Sequence, residues 1–196
     1  IYSNNSDGKL IVPNIEINQN KWVQKGQKIT GTSQNYYTRS NDLHGSLSND
    51  GNILITFGNK NYVKVYNFNK LINKWDDFGD EISLGFNNDA QNFISLSDSG
   101  LIFIISNTNN DNDNKGIAKV FKYNEITKEW NQLGNDITGD NINDYFGISC
   151  SIIEYNNDIL ISVGANQYVN SNNYYNDAKG YVKIFKFNSL LNNWDV

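Results

Sequence analysis

The sequence predicts an all-β chain of repeated, four-stranded antiparallel units, and three observations predict it. One string recurs: Tyr62–Trp75 (YVKVYNFNKLINKW), Ile117–Trp130 (IAKVFKYNEITKEW) and Tyr181–Trp194 (YVKIFKFNSLLNNW), with a weaker copy, KLIVPNIEINQNKW, over Lys9–Trp22. Each tryptophan of the chain, Trp22, Trp75, Trp130 and Trp194, closes one copy, at intervals of 53, 55 and 64 residues. Repeats near that length belong to propeller blades more than to helical arrays. Finally, no window sustains a 3.6-residue apolar period, while short runs rich in β-branched and aromatic residues alternate with turn formers. The expected fold is a β-propeller segment of about three and a half blades. The expected boundaries are a partial blade over 1–35 and blades over 36–86, 87–140 and 141–196, the last with its outer strand incomplete.

The elements of one unit follow in order. Leu43–Ser48 is a first strand, and the Asp-Gly pair in Asn49-Asp50-Gly51-Asn52 predicts a tight hairpin turn. Ile53–Phe57 is the second strand and Tyr62–Phe68 the third; a loop over Asn69–Lys74 leads to Trp75 and a fourth segment ending near Ile82. The next unit repeats this as Asn92–Ser97, Leu101–Ser106, the loop Asn107–Lys115, and the strand before Trp130. The last begins at Tyr145–Ser149, continues with Asp158–Val163, and carries a long loop, Asn166–Lys179, before its third strand. Alternation in the third strand sends Val63 and Val65 one way and Tyr62, Tyr66 and Phe68 the other, so both faces are apolar and both are expected to be covered. Pro13 falls inside the weak first copy, where a missing ladder donor predicts a distorted or edge strand.

Composition bounds the function. Hydrophobic residues make up 38% and aromatics 13% of 196 residues, enough aromatic area for a packed core in spite of abundant asparagine. The formal charge of −5 comes with no basic stripe, which excludes a nonspecific nucleic-acid footprint. No apolar run approaches the ~20 residues of a spanning helix. With Ile1 first and no methionine, the chain is expected to be a mature fragment or an excised segment, so the array is either part of a longer chain that supplies the remaining blades or a crescent whose ends are open. The single cysteine, Cys150, excludes an internal disulfide framework.

The last unit, YFGISCSIIEYNNDILISVGA over Tyr145–Ala165, resembles the FG-GAP repeat of integrin-alpha-like β-propellers. Phe146-Gly147 matches the FG and Gly164-Ala165 the start of the GAP, with Asn166 where proline is usual; Gly180–Phe185 fits the strand that follows. The FG pair is intact only there, since Asn41-Asp42 and Ala90-Gln91 stand at the corresponding places. The strand–turn–Trp element, Asn69 to Trp75, is also similar to kelch repeats, but Gly58 and Gly164 stand alone where kelch blades carry a Gly-Gly pair, and Ser106 replaces them in the unit between. The resemblance implies a secreted or surface protein. The family's calcium loop is not carried over, because Asn49-Asp50-Gly51, Asp98-Ser99-Gly100 and Asn156-Asn157-Asp158 offer too few carboxylates.

Candidate sites are few. Asp111 and Asp113, with Asn109, alternate along the Asn107–Lys115 loop as calcium ligands do, but without a terminal bidentate carboxylate, so no metal site is assigned and calcium is the one cofactor left to consider. His44 is the only histidine and Cys150 is read as a packed strand residue, so no nucleophilic pair is expected. Asp76, Asp77, Asp80 and Glu81 read as a solvated outer edge. Lys64, Lys119 and Lys183 recur at one position and therefore build the unit. A binding residue should instead break the repeat, which points to Tyr168, Tyr174 and Tyr175 in the long loop. The expected function is a noncatalytic scaffold for a protein or glycan. The alternatives are a propeller hydrolase or lyase using channel carboxylates, and a structural coat component.

Overall fold

The apolar runs of the second, third and fourth repeats become the inner strands of three antiparallel sheets. The computed structural model of the chain describes residues 3–4, 10–11, 22–30, 44–58, 62–86, 91–109, 113–167 and 179–196. Among these residues there is no helix. β1 (Ser3–Asn4) and β2 (Leu10–Ile11) form a short antiparallel pair. Sheet I contains β3 (His44–Leu47), β4 (Ile53–Gly58), β5 (Tyr62–Asn69) and β6 (Lys74–Asp77) in that spatial order, and β7 (Ile82–Ser83) returns to pair with β5. Sheet II repeats this with β8 (Asn92–Leu96), β9 (Ile102–Asn107), β10 (Ile117–Asn124), β11 (Glu129–Gln132) and β12 (Ile137–Thr138). Sheet III contains β13 (Ser149–Tyr155), β14 (Asp158–Ala165), β15 (Tyr181–Asn188) and β16 (Asn193–Asp195). Among the described residues every pairing of the named strands is antiparallel, and no sheet closes on itself.

Asparagine supplies the turn chemistry. In the third turn of each sheet an asparagine side-chain carbonyl accepts the N–H two residues on: Asn69 from Leu71, Asn124 from Ile126 and Asn188 from Leu190. The same turns close through Asn73, Lys128 and Asn192 at positive φ. Asn156 and Asn157, at φ +50° and +67°, form the two-residue β13–β14 turn with the mirror-image geometry that matches strand twist.

The sheets stack face to face, and the core lies in the two seams between them. Ile55, Phe57, Val63 and Val65 of sheet I meet Leu96, Phe103, Ile105 and Phe121 of sheet II. Ile102, Ile104, Ala118 and Val120 on the other face of sheet II meet Ile152, Ile161, Val163 and Phe185 of sheet III. Burying each large side chain in these seams is worth about 1.5–3 kcal/mol. The sheets approach most closely along their first strands β3, β8 and β13.

A tryptophan interlock holds each seam. Trp130 Nε1 donates to the Phe78 carbonyl of sheet I (3.2 Å), and Trp194 Nε1 donates to the Leu133 carbonyl of sheet II (3.1 Å). Trp75 does the same to Lys25 (2.9 Å) in the segment 22–30. The indole in each case lies over a glycine four residues past the preceding tryptophan: Gly26, Gly79 and Gly134, at φ +71°, +81° and +73°. The recurring tryptophan and the recurring glycine are thus the two halves of one joint, and only glycine leaves room for the ring.

Two expectations are corrected. The first strand of the last unit begins at Ser149 rather than Tyr145, because Gly147 at φ +95° turns the chain, its carbonyl taken by Ser106 Oγ (2.7 Å) and its N–H by Gly164 (2.8 Å). Coverage of the third strand on both faces holds for β10, which lies between two sheets; on β15, Val182 and Ile184 are exposed because no sheet follows among the described residues. Pro13 lies outside the described residues.

Candidate functional site

A hydrogen-bonded cluster around Asp144 lies at the roots of the long loop. Asp144, in the connection from β12 to β13, is buried. Its carboxylate accepts the Tyr181 hydroxyl (2.7 Å) and the backbone N–H groups of Asp140 and Asn141 (both 2.9 Å). Its backbone carbonyl accepts the N–H groups of Asn166 and Gln167 (both 3.0 Å). Asn166 and Gln167 lead into the long loop, and Tyr181 opens the strand that follows it. One aspartate therefore ties both roots. Beside it, Lys183 Nζ pairs with the Asp140 carboxylate (2.5 Å).

Burial pushes the Asp144 carboxyl upward, but the hydrogen bonds from Tyr181, Asn141, Asp140 and Gln167 outweigh it, so the group titrates below its ordinary value of 3.8 and is ionised at neutral pH. Burial, then the bond to this carboxylate, raises the Tyr181 phenol, which stays protonated and donating. The Tyr181–Asp144 bond thereby links the connection from β12 to β13 with the strand that follows the long loop. By position in the repeat Arg39 and Asn88 stand where Asp144 does, and Tyr62 and Ile117 stand where Tyr181 does, so in sequence the aspartate and the tyrosine occur together only in this unit.

The buried FG pair forms the floor. Phe146 is fully buried, and Gly116 meets it in a parallel bridge. Asn143, Tyr145 and Phe146 donate backbone bonds to Asp113, Asn114 and Lys115, which stitches the β9–β10 loop to this connection.

The sequence candidates fall as follows. Tyr168, Tyr174, Tyr175 and Asp111 lie outside the described residues. Asp113 Oδ1 accepts the Lys115 N–H (2.9 Å) and shapes its own turn, while Asn109 Oδ1 is buried without a partner among the described residues. Among the described residues no group of three His, Cys, Asp or Glu side chains gathers around a common point. His44 is exposed at the start of β3 in sheet I, and Cys150 packs in the seam between sheets II and III. Burial pushes the Cys150 thiol up to about 11, so it is an unreactive packing group. Asp76, Asp77, Asp80 and Glu81 are exposed at the outer edge of sheet I. Lys119 and Lys183 are half-buried in ion pairs with Asp136 and Asp140.

Sequence reading missed Asp140, Asp144 and Tyr181. The available signal was a carboxylate two residues before the one intact FG pair, together with a tyrosine at the first position of the strand after the insertion.

No protein-family model matches the chain, and no curated protein matches it. Among solved structures it is similar to Sqt1 of Saccharomyces cerevisiae, at 13% identity and a TM-score of 0.47, over 76% of this chain and 33% of that one. The chain therefore spans about a third of the length of that protein, and at this similarity nothing about activity passes between them. No helix among the described residues is long and apolar enough to cross a membrane.

Proposed function

We propose that this chain is a noncatalytic binding scaffold, a β-propeller segment of FG-GAP-like repeats that presents the loop 168–178 to a protein or glycan. The observation that carries it is the Asp144 clamp. A buried ionised carboxylate is costly unless fully hydrogen-bonded, and here the bonds fix the two roots of the one inserted loop. A scaffold that holds an interaction loop needs such anchoring, because ordering a loop on binding costs affinity. The propeller reading is supported by the face-to-face stacking, by closest approach along the first strands, and by the recurring interlock. The FG-GAP-like reading is supported by the buried Phe146 and the turned Gly147.

The test is to replace residues 168–178 by a short Gly-Ser turn and compare both proteins on glycan arrays and in protein-binding screens. The expected result is loss of a wild-type binding signal with the melting point retained. Equal binding by the loop replacement would refute the assignment. Turnover of glycoside, ester or uronide substrates would replace it with the enzymatic alternative.

A further inference from the structure

The turn between β3 and β4 carries an Asp-Gly pair, Asp50-Gly51. Such a pair can rearrange its own backbone, because glycine leaves its nitrogen unshielded. The Gly51 nitrogen attacks Cγ of Asp50. An N–Cγ bond forms, the amide proton and the carboxyl hydroxyl leave as water, and a five-membered succinimide results. Water then opens the ring at either carbonyl. Opening at the main-chain carbonyl leaves the chain running through the former side chain as isoaspartate, an isomer of unchanged mass. Water is the only co-reactant.

In the closed turn the atoms that must react are held. The Asp50 carboxylate accepts the Ser48 hydroxyl (2.7 Å), the Asn52 backbone N–H (2.9 Å) and Asn52 Nδ2 (2.6 Å). The Gly51 N–H donates to the Ser48 carbonyl (2.9 Å), a bond that ring closure must break. Ser48 is itself fixed, since it is buried and its Oγ accepts the Ile53 N–H (3.0 Å). Water leaves only from the neutral carboxyl, because oxide does not leave. The Ser48 hydroxyl first, then the backbone and side chain of Asn52, lower this carboxyl from 3.8 to about 2. The neutral form is therefore about a hundredfold scarcer at neutral pH than in an unheld aspartate.

Shape alone does not require the aspartate. The strand registers align Leu47 with Leu96, and so Ser48 with Ser97 and Asp50 with Ser99. In that sister turn Ser97 Oγ accepts the Ile102 N–H (3.3 Å), the Gly100 N–H donates to the Ser97 carbonyl (2.9 Å), and Ser99 Oγ accepts the Leu101 N–H (3.1 Å). Serine builds the same turn without a carboxyl that can close on the next nitrogen.

We propose that Asp50 is a gated modification site: it isomerises to isoaspartate through Gly51 when the β3–β4 turn opens, and Ser48 and Asn52 suppress the reaction while the turn is closed. The modification would reach beyond the turn. The Asn49 N–H donates to the Asp98 carbonyl of sheet II (3.2 Å), and the Gly51 carbonyl accepts Lys25 Nζ (2.5 Å) from the segment 22–30. An extra methylene in the backbone between them unfastens sheet I from both.

The experiment is prolonged incubation of the whole chain at neutral pH, folded and in urea, followed by peptide mapping with an isoaspartyl methyltransferase label. Asp7-Gly8, the other Asp-Gly pair of the sequence, is the reference in urea. In urea Asp50 and Asp7 should react at similar rates, and in the folded chain Asp50 should react about a hundredfold more slowly than in urea. Ser48→Ala should speed the folded reaction about tenfold and leave the urea rate unchanged. Gly134→Ala, which loosens a different seam, should leave the folded rate at Asp50 near that of wild type. Asp50→Ser should abolish the modified peptide and keep the wild-type melting point. Three results would overturn the gate: a folded rate at Asp50 within a few-fold of its urea rate, a Ser48→Ala rate no faster than wild type, or equal acceleration by Ser48→Ala and Gly134→Ala, which would make global unfolding the controlling step.

Discussion

Replacing Gly134 by alanine tests the tryptophan interlock directly. Gly134 lies at φ +73°, and a Cβ there would stand 2.7 Å from Trp194 Nε1, 2.9 Å from its Cδ1 and 3.5 Å from Phe187 Cε2. The left-handed backbone costs an alanine about 1–2 kcal/mol. Pushing back the indole adds about 1–3 kcal/mol of overpacking. It also strains the bond from Trp194 Nε1 to Leu133, worth about 1 kcal/mol. The lower entropy of the unfolded alanine chain returns about 0.4–1 kcal/mol. The net loss is about 2–5 kcal/mol, a fall in melting temperature of about 5–15 °C for a chain of this size. Gly79→Ala should cost less, because the contacts with Trp130 there are 3.1 and 3.2 Å, leaving mainly the backbone cost of about 1–2 kcal/mol. The assay is thermal and urea unfolding followed by circular dichroism. Repeating Gly134→Ala in a Trp194→Ala background isolates the joint: with the ring gone, only about 1 kcal/mol of backbone cost should remain. An equal cost in both backgrounds, or a larger loss for Gly79→Ala than for Gly134→Ala, would refute the interlock as the reason for the recurring glycine.

Four further outcomes are expected. Asp144→Ala strands the Tyr181 hydroxyl and two backbone N–H groups, so it should lose about 2–4 kcal/mol and raise proteolysis within 166–179, readable by limited chymotrypsin digestion at Tyr168, Tyr174 and Tyr175. The same carboxyl titrates lower in the folded chain than its ordinary 3.8, so its contribution is present above that value and lost as pH falls through the depressed one; acid unfolding of Asp144→Asn should lack this part of the wild-type pH dependence below about 4. Cys150, with its thiol pushed up to about 11, should resist iodoacetamide at mildly alkaline pH until the chain unfolds, and rapid alkylation of the native protein would show that the seam opens. At Gly116 a Cβ would overlap the Phe146 carbonyl, so Gly116→Ala should cost more than about 3 kcal/mol; a melting point equal to wild type would mean that the stitch between the two loops is loose.

The strands were legible because their signals are local. Alternating apolar residues, Asp50-Gly51, Ser99-Gly100 and the asparagines of the third turns each act within a few residues, and the expected strands lie within a few residues of those found. The recurrence of glycine after each tryptophan was visible too, but its meaning was not, because the ring that occupies Gly79 comes from Trp130 in the next unit. Asp144 was hidden for the same reason. Its partners Gln167 and Tyr181 lie 23 and 37 residues away, so nothing near Asp144 distinguishes an anchor from one more polar loop residue. The exposure of Val182 was equally unreadable, since its local string is nearly that of buried Val63.

The interlock has a direction. Trp75, Trp130 and Trp194 each reach back to a glycine made earlier in the chain, Gly26, Gly79 and Gly134 respectively. During synthesis the socket therefore always leaves the ribosome ahead of the ring that fills it. A newly made unit can dock as soon as its own outer strand emerges, without waiting for the rest of the chain. Damage is correspondingly lopsided: cutting the chain after a unit leaves every earlier ring seated, whereas cutting before one strips its ring of a seat.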